Sequence, residues 1–382
     1  MQNRSEAMPA RLSLPLASGL AAFLLALAAP WVLSGYDLNL LGRFLALSLT
    51  AMGLVLLWGE GGILSLGQGV FFGIGGYAIA MHLKLVELGS GEVPDFMVWS
   101  GIEKLPWWWA PFGSALFAVI AVFVVAPALA GLVGWAIFRR RIGGVYFALI
   151  TQALALAFAT LLISKQDMTG GFNGLTNYST LLGFNLNLPQ TATGIYFVTL
   201  ATVAAAFFGL RWLIASRFGK LLRASRDGTN RLRFLGYDPT PYKVIAFAVG
   251  ALLASLSGAL FTLHSGVISP ALVGVVPSIE MVIWAAIGGR HSVAGALAGA
   301  LLVNFAKDKI STALPEMWLY FLGLMFILAV TVLPRGLAGL FGEDRPFRAS
   351  RKGDLFARWR KDRAEANAAG TASAPNAKEI PA

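Results

Sequence analysis

The chain has 382 residues, 57% of them hydrophobic and 13% charged, with a formal net charge of +11 and a mean hydropathy of +0.70. That composition excludes an ordinary soluble domain and places the chain among integral membrane proteins. Cysteine is absent, which excludes disulfide frameworks and thiolate chemistry. His82, His264 and His291 are too scattered for metal-ligand spacing. The cations sit in tails and short loops, so membrane topology and anionic lipid account for them before nucleic acid does.

In chain order, residues 1–11 form a polar lead with Arg4 and Arg11, consistent with a cytoplasmic N-terminus. The apolar run 12–34 is too long for a signal h-region and reads as the first span. Tyr36 and Asp37 make an outer turn, residues 38–58 a second span, and 59–62 a turn at the inner face. The third span, 63–83, opens with Gly67, Gly69, Gly73, Gly75 and Gly76 in one run. Such density predicts an irregular helix or close approach of neighbouring backbones. The outer segment 87–110 carries acids and Trp107, Trp108 and Trp109, a set expected as interfacial anchors. Span 111–138 then returns inward to Arg139, Arg140 and Arg141, a strong positive-inside signal. Span 143–164 carries Thr151 and Gln152 at mid-depth. The outer loop 165–189 contains TGGFNGLTN, whose glycines favour a loop folded back on itself.

After a sixth span at 192–213 comes the longest polar segment inside the apolar chain, RFGKLLRASRDGTNRLRFLGYDPTP (217–241). Its cations Arg217, Lys220, Arg223, Arg226, Arg231 and Arg233 outnumber Asp227 and Asp238, which fixes the loop on the cytoplasmic side. Phe218, Leu221 and Leu222 recur at helical spacing, and Leu232, Phe234 and Leu235 follow a break at Gly228. Charge combined with an apolar helical face is the pattern of a surface built to touch a partner; the other reading is a solvated positive-inside loop. The seventh span, 242–263, contains ASLSGAL, a small-residue face suited to tight helix packing.

With the basic loop and the basic tail both inside, residues 277–306 must leave the outer face and return to it. The apolar pieces 279–287 and 293–305, separated by GGRHS, are short for spans and predict two short or re-entrant helices. A last span covers 318–333. The expected fold is an all-α polytopic membrane protein with about ten membrane segments, roughly eight long spans plus this pair. The domain plan is a cytoplasmic lead (1–11), a transmembrane permease domain (12–342) with a cytoplasmic loop at 214–241, and a basic cytoplasmic tail (343–382). The tail is expected to be disordered toward its end, with DLFARWRKD (354–362) as a candidate surface helix.

No Walker motif, nucleophile elbow or HExxH is present. The membrane region instead offers uncharged polar residues, Ser65, Gln68, Thr151, Gln152 and Asn304, with Phe72 beside them. Such a set suits a path for a neutral, hydrogen-bonding solute; each member alone also serves as glue between helices. Glu280 is an intramembrane carboxylate, either functional or a helix cap that snorkels to the interface. Arg290 and His291 become topological signals if their turn reaches the inner face.

The motifs LSLGQGVFFGIGGYA (64–78), RIGGVYFAL (141–149), TGGFNGLT (169–176), SRFGKLLRASRD (216–227), FLGYDP (234–239), SGALFTLHSGVISP (257–270) and GGRHSVAGALAGALLVN (288–304) occur in this order. Together they resemble the branched-chain amino acid type of ABC importer permease. Within that family, FMVWSGIEKLPWWW (96–109), ITQALALAFATLLIS (150–164), VPSIEMVIWAAIGGR (276–290) and LPEMWLYFLG (314–323) resemble the urea permease more than the amino-acid type. The resemblance implies a non-enzymatic transport subunit of the bacterial inner membrane, with both termini cytoplasmic. It implies a second homologous permease, two cytoplasmic ATPases that bind ATP-Mg, and a periplasmic solute-binding protein as partners. It implies no cofactor or metal on this chain. Urea is the solute it implies first, branched-chain amino acids second; a passive channel for urea or small amides is the further alternative. It also implies that Arg217, Gly219, Arg223, Arg226, Asp227 and Gly236 couple the chain to an ATPase, by charge pairing to its surface and by a turn that keeps the coupling helix rigid.

Overall fold

Ser34 starts the first long helix: its hydroxyl accepts from the backbone N–H of Asp37 at 3.3 Å, an N-cap bond that satisfies one of the helix's bare donors. Tyr36 and Asp37, expected in an outer turn, are therefore the first turn of α1 (Gly35–Leu54). The structure, a computed structural model, describes residues 25–88, 92–178, 180–181, 183–186, 188–332 and 336–340. The expected N-terminal lead and most of the first apolar run lie outside these residues. The chain divides into a unit ending at Glu343 and a second from Asp344 to Ala382. That second unit, with the tail and the surface helix expected in it, also lies outside the described residues.

Residues 25–32 are helical. From α1 the chain continues as a π-helical segment, Val55–Glu60. The third span departs from expectation. Residues 61–67 are not helical at all, and α2 (Gln68–Leu88) starts only at Gln68. Then follow α3 (Ala115–Arg139), α4 (Val145–Ser164) and α5 (Pro189–Ala215). The inner polar segment forms α6 (Arg217–Asp227) and α7 (Thr229–Phe234). After it come α8 (Pro239–Ser265), α9 (Val275–Gly288), α10 (Val293–Ala313) and α11 (Trp318–Val332).

Among the described residues, seven segments are long and apolar enough to cross a membrane: α1 with its π-helical extension, α2, α3, α4, α5, α8, and 270–288. The expected all-α polytopic membrane fold is what the chain adopts. α1, α2 and α8 form its centre, whereas α3, α4 and α5 turn most of their apolar surface outward, as helices facing lipid do. Between helices in lipid no hydrophobic driving force acts, so close packing must hold them. α8 packs against α1, α2 and α3, and the ASLSGAL face makes this possible. A Cβ at Gly258 would overlap the carbonyl of Phe72. On the outer side Leu175–Thr176 pairs antiparallel with Val267–Ile268, so the glycine-rich loop does fold back.

Of the two short helices expected, α9 is short at 14 residues, whereas α10 is longer than expected. α9 and α10 form a hairpin, with the Ser292 hydroxyl capping α10 through the N–H of Gly295 at 3.0 Å. α10 has 21 residues, about 31 Å at ~1.5 Å per residue, enough to cross the hydrocarbon. It runs two turns past the expected end at Phe305, through Lys307, Asp308 and Lys309.

Candidate functional site

α6 is laid against the helix bundle by its amphipathic pattern: Gly219, Leu222 and Ser225 are buried, and Arg217, Lys220 and Ala224 are exposed. Gly219 is required where it stands, because a Cβ there would overlap the carbonyl of Ile214 and push α6 off the end of α5. α7 ends in a Schellman motif. Gly236 (φ +86°) donates its N–H to Arg233 O at 2.9 Å, and Tyr237 donates to Leu232 O at 3.2 Å. Asp238 then caps α8, its Oδ1 accepting from the Thr240 N–H at 3.0 Å. That backbone bond holds the Asp238 carboxyl below the usual aspartate range, with help from the Thr240 hydroxyl, Arg233 and Arg141 against a small burial penalty.

Arg223 and Arg226, expected to pair with an ATPase, both make contacts within the chain. Arg223 Nε lies 2.9 Å from Glu60 Oε2 at the end of the π-helix, a charge contact, while its Nη2 donates to Ile214 O at 2.9 Å. Arg226 donates from Nη1 to the carbonyl of Gly59 and from Nε to Asp227 Oδ1 at 2.9 Å. Glu60 was missed because residues 59–62 read as a bare turn; the available signal was a lone carboxylate at a span end facing a surplus of arginines. The expected apolar face of the loop is also divided. Leu232 is buried, but Phe234 is 92% and Leu235 74% exposed, beside the exposed Lys220 and Arg231.

The GGRHS turn reaches this same face. A Cβ on Gly59 would overlap the carbonyl of Arg290, and the Arg290 guanidinium sits 5.6 Å from the centre of the Trp58 ring. Arg290 Nε donates to Nε2 of His291 at 3.2 Å. Burial, then the charges of Arg290 and Arg226, hold His291 below the ordinary histidine pKa.

From Glu60 the non-helical stretch leads directly to the polar residues of the membrane interior. Its bare backbone donors are met by side chains. Leu66 N–H donates to Thr151 Oγ1 at 3.0 Å, and Gly69 N–H donates to Ser278 Oγ at 3.1 Å. A longer contact of 3.5 Å joins Gly67 N–H to Ser65 Oγ. Non-helical backbone at membrane depth is tolerable only when buried in protein or lining water, and this stretch is mostly buried. Thr151 is six residues into α4, about 9 Å along the helix from its inner end. Ser65, Gln68, Phe72 and Thr151 are thus brought together, and Ser278 joins them unforeseen. Gln68 differs from its neighbours: it is 1% exposed, and neither its Oε1 nor its Nε2 has a hydrogen-bond partner. Phe72, one turn further, packs at 5.5 Å on Phe261, and Gln152 is half-buried.

Glu280 and Asn304 belong to the α9–α10 hairpin. Glu280 Oε2 pairs with Lys307 Nζ at 2.6 Å, and Asn304 Nδ2 donates to Ala300 O at 2.8 Å within its own helix. Lys307 escaped notice because the apolar run ends before it.

The family model described as branched-chain amino acid transport system / permease component matches residues 37–330. The high-affinity branched-chain amino acid transport system permease protein LivM of Salmonella typhimurium is 23% identical over 340 residues, covering 83% of this chain and 73% of the relative. LivM of Escherichia coli is 24% identical over 339 residues, with the same coverage of each chain. The permease protein LivH of Salmonella typhimurium is 24% identical over 289 residues, 72% of this chain and 90% of LivH. No solved structure matches significantly. Membrane helices in this arrangement and a family match across most of the chain lead to one conclusion: the chain belongs to the branched-chain amino acid transport permease family.

Proposed function

We propose that the chain is one of two permease subunits of an ATP-driven importer in the bacterial inner membrane, with its termini and α6–α7 in the cytoplasm. The partners on this reading are a homologous permease, two ATPases that bind ATP-Mg, and a periplasmic binding protein. The observation that carries it is the mechanical link from α6 to the membrane interior. Arg223 on Glu60 and Arg226 on Gly59 tie the helix to the π-helical segment, which continues through residues 61–67 to Gln68. A force applied at Lys220, Arg231, Phe234 and Leu235 would reach Gln68 along the chain itself. The discontinuous α1–α2 junction is the kind of element around which transporters place solute sites. Basic residues gathered at one face, Arg139–Arg141, α6–α7 and Arg290, support the cytoplasmic assignment.

For the solute, a branched-chain amino acid is favoured over urea, because the relatives bear that name. Of the stretches that suggested urea, 96–109 and 314–323 contribute nothing to the Gln68 cluster, whereas 150–164 and 276–290 supply its Thr151 and Ser278, so urea stays the second solute to test. The test is uptake of labelled leucine and labelled urea into vesicles holding the whole complex, with and without ATP. ATP-dependent leucine uptake supports the proposal. ATP-dependent urea uptake that ignores leucine keeps the importer and overturns the solute, and flux without ATP replaces the importer with a channel.

A further inference from the structure

Two cavities open beside α6–α7, and cations outside the Glu60–Arg223 contact line both of them. One, of about 510 Å³, is bordered by Trp135, Arg139, Arg141, Arg233, Tyr237 and Asp238. The other, of about 410 Å³, shares Arg141 and Arg233 and adds Lys243 and Arg226, the last already held by Gly59 and Asp227. Among the described residues, Arg139, Arg141, Arg233 and Lys243 are in no ion pair with a carboxylate. Asp238, which caps α8, borders the first cavity and its charge acts on Arg233 and Arg141. One carboxylate against Arg139, Arg141 and Arg233 still leaves that cavity a surplus of positive charge.

Arg141 adds a second, independent observation. α3 closes with a Schellman motif, in which Arg141 N–H donates to Phe138 O at 3.0 Å and Ile142 N–H to Ile137 O at 3.3 Å. Arg141 holds the left-handed position of that motif, with φ +60°. Glycine fills this position without cost, and a side chain there is strained. The chain places an arginine in it, and its side chain borders both cavities. Strain retained at a charged group facing an open cavity is a mark of function.

The location identifies the ligand. Leu132, Trp135 and Arg139 follow one another at i, i+3 and i+7 at the inner end of α3, a helix whose exposed residues include Val119, Ile120, Phe123 and Val124. Trp135 is 52% exposed, and the Arg139 guanidinium stacks 4.8 Å from its ring centre. A tryptophan and arginines at the end of an outward-facing apolar helix mark the level where acyl chains give way to headgroups. Guanidinium groups bind phosphate through paired N–H donors. We propose that Arg139, Arg141 and Arg233 cradle the phosphate of an anionic phospholipid headgroup, which joins the α3–α4 turn to α7. The site lies outside the Glu60–Arg223 link, and it stands or falls apart from the identity of the solute.

The experiment is native mass spectrometry of the complete transporter complex, purified in detergent and supplied with phosphatidylglycerol, phosphatidylcholine or inorganic phosphate. Phosphatidylglycerol is expected to be retained about tenfold or more over phosphatidylcholine, each basic group at the surface contributing to the preference. The double variant R141Q/R233Q is expected to lose that preference, and R211Q, a basic residue on α5 away from the cavities, to keep it. R141G separates the ligand from the fold: glycine relieves the positive φ, so the complex melts no lower than the parent yet retains less phosphatidylglycerol. Equal retention of the two lipids, retention by R141Q/R233Q, or binding of inorganic phosphate without lipid each overturns the proposal. So does R141G binding lipid as the parent does.

Discussion

The Glu60–Arg223 contact makes the most exposed claim, because it assigns to the protein's own interior a cation that the family resemblance would give to an ATPase. Two unit charges about 4 Å apart attract by ~4 kcal/mol at an effective dielectric constant of ~20. Desolvation and solvent screening offset most of that. The Glu60 side chain is 7% exposed and that of Arg223 36%, which puts the pair between an exposed ion pair, worth ~0–1 kcal/mol, and a fully buried one, whose breakage costs ~3–5 kcal/mol. Glu60→Gln is therefore expected to cost about 1–3 kcal/mol. Arg223→Glu should cost more, since it sets two carboxylates against each other. The swap Glu60→Arg with Arg223→Glu should recover stability, with an interaction energy of ~1–2 kcal/mol in the double-mutant cycle. The assay is thermal unfolding of the purified complex, read beside ATP hydrolysed per solute imported in proteoliposomes. Each single variant should hydrolyse ATP with little uptake, and the swap should restore the ratio. Effects that add to within ~0.5 kcal/mol, with coupling intact in both single variants, would refute the link.

Four further outcomes follow from the same geometry. Gly219→Ala should insert normally but lose ATP-driven uptake, because its Cβ meets the Ile214 carbonyl; uptake at the parent rate would show that α6 need not sit against α5. Gln68→Leu removes a buried amide without partners, so the resting protein should become more stable by roughly 1–3 kcal/mol while the KM for uptake rises severalfold. A stability gain with unchanged KM would make Gln68 a packing residue. Glu280→Met alone should destabilise the α9–α10 hairpin by about 1–3 kcal/mol, and Glu280→Met with Lys307→Met should recover it with uptake preserved; loss of uptake in the stable double variant would return Glu280 to the solute path. His291 Nε2 accepts a hydrogen bond from Arg290, a contact that the neutral ring makes and the protonated ring cannot. With its pKa held below the ordinary value, stability is full above about pH 6.5 and falls as acidification forces a proton onto the ring. His291→Gln should flatten the dependence of melting temperature on pH between about 5 and 7, and an unchanged slope would assign the acid sensitivity elsewhere.

What could be read from the sequence, and what could not, divides along one physical line. Apolar length and clustered charge are local properties, and they placed the spans α1–α5 and α8 and the helical loop α6–α7 where the structure has them. The unwinding at 61–67 was half visible. Its glycines announced irregularity, but the backbone can leave the helix there only because Thr151 and Ser278 supply acceptors from 85 and 209 residues away. No local pattern contains those partners. The length of α10 was misjudged for the same reason: Lys307 looked like the end of a span until Glu280, 27 residues earlier, neutralised it.

The cations of α6 complete the case. Their helical spacing was legible, yet spacing cannot say whether an arginine faces a partner or its own protein; that depended on Glu60 and on the carbonyl of Gly59, exposed to hydrogen bonding at the end of a π-helix. With Arg223 and Arg226 so engaged, the surface proposed for an ATPase is carried by the exposed Arg217, Lys220, Arg231, Phe234 and Leu235. Burial of two exposed hydrophobic side chains would give such a contact its affinity, with the cations fixing its orientation. On the proposed importer reading, the two arginines would transmit to Glu60 and Gly59 whatever displacement that contact produces.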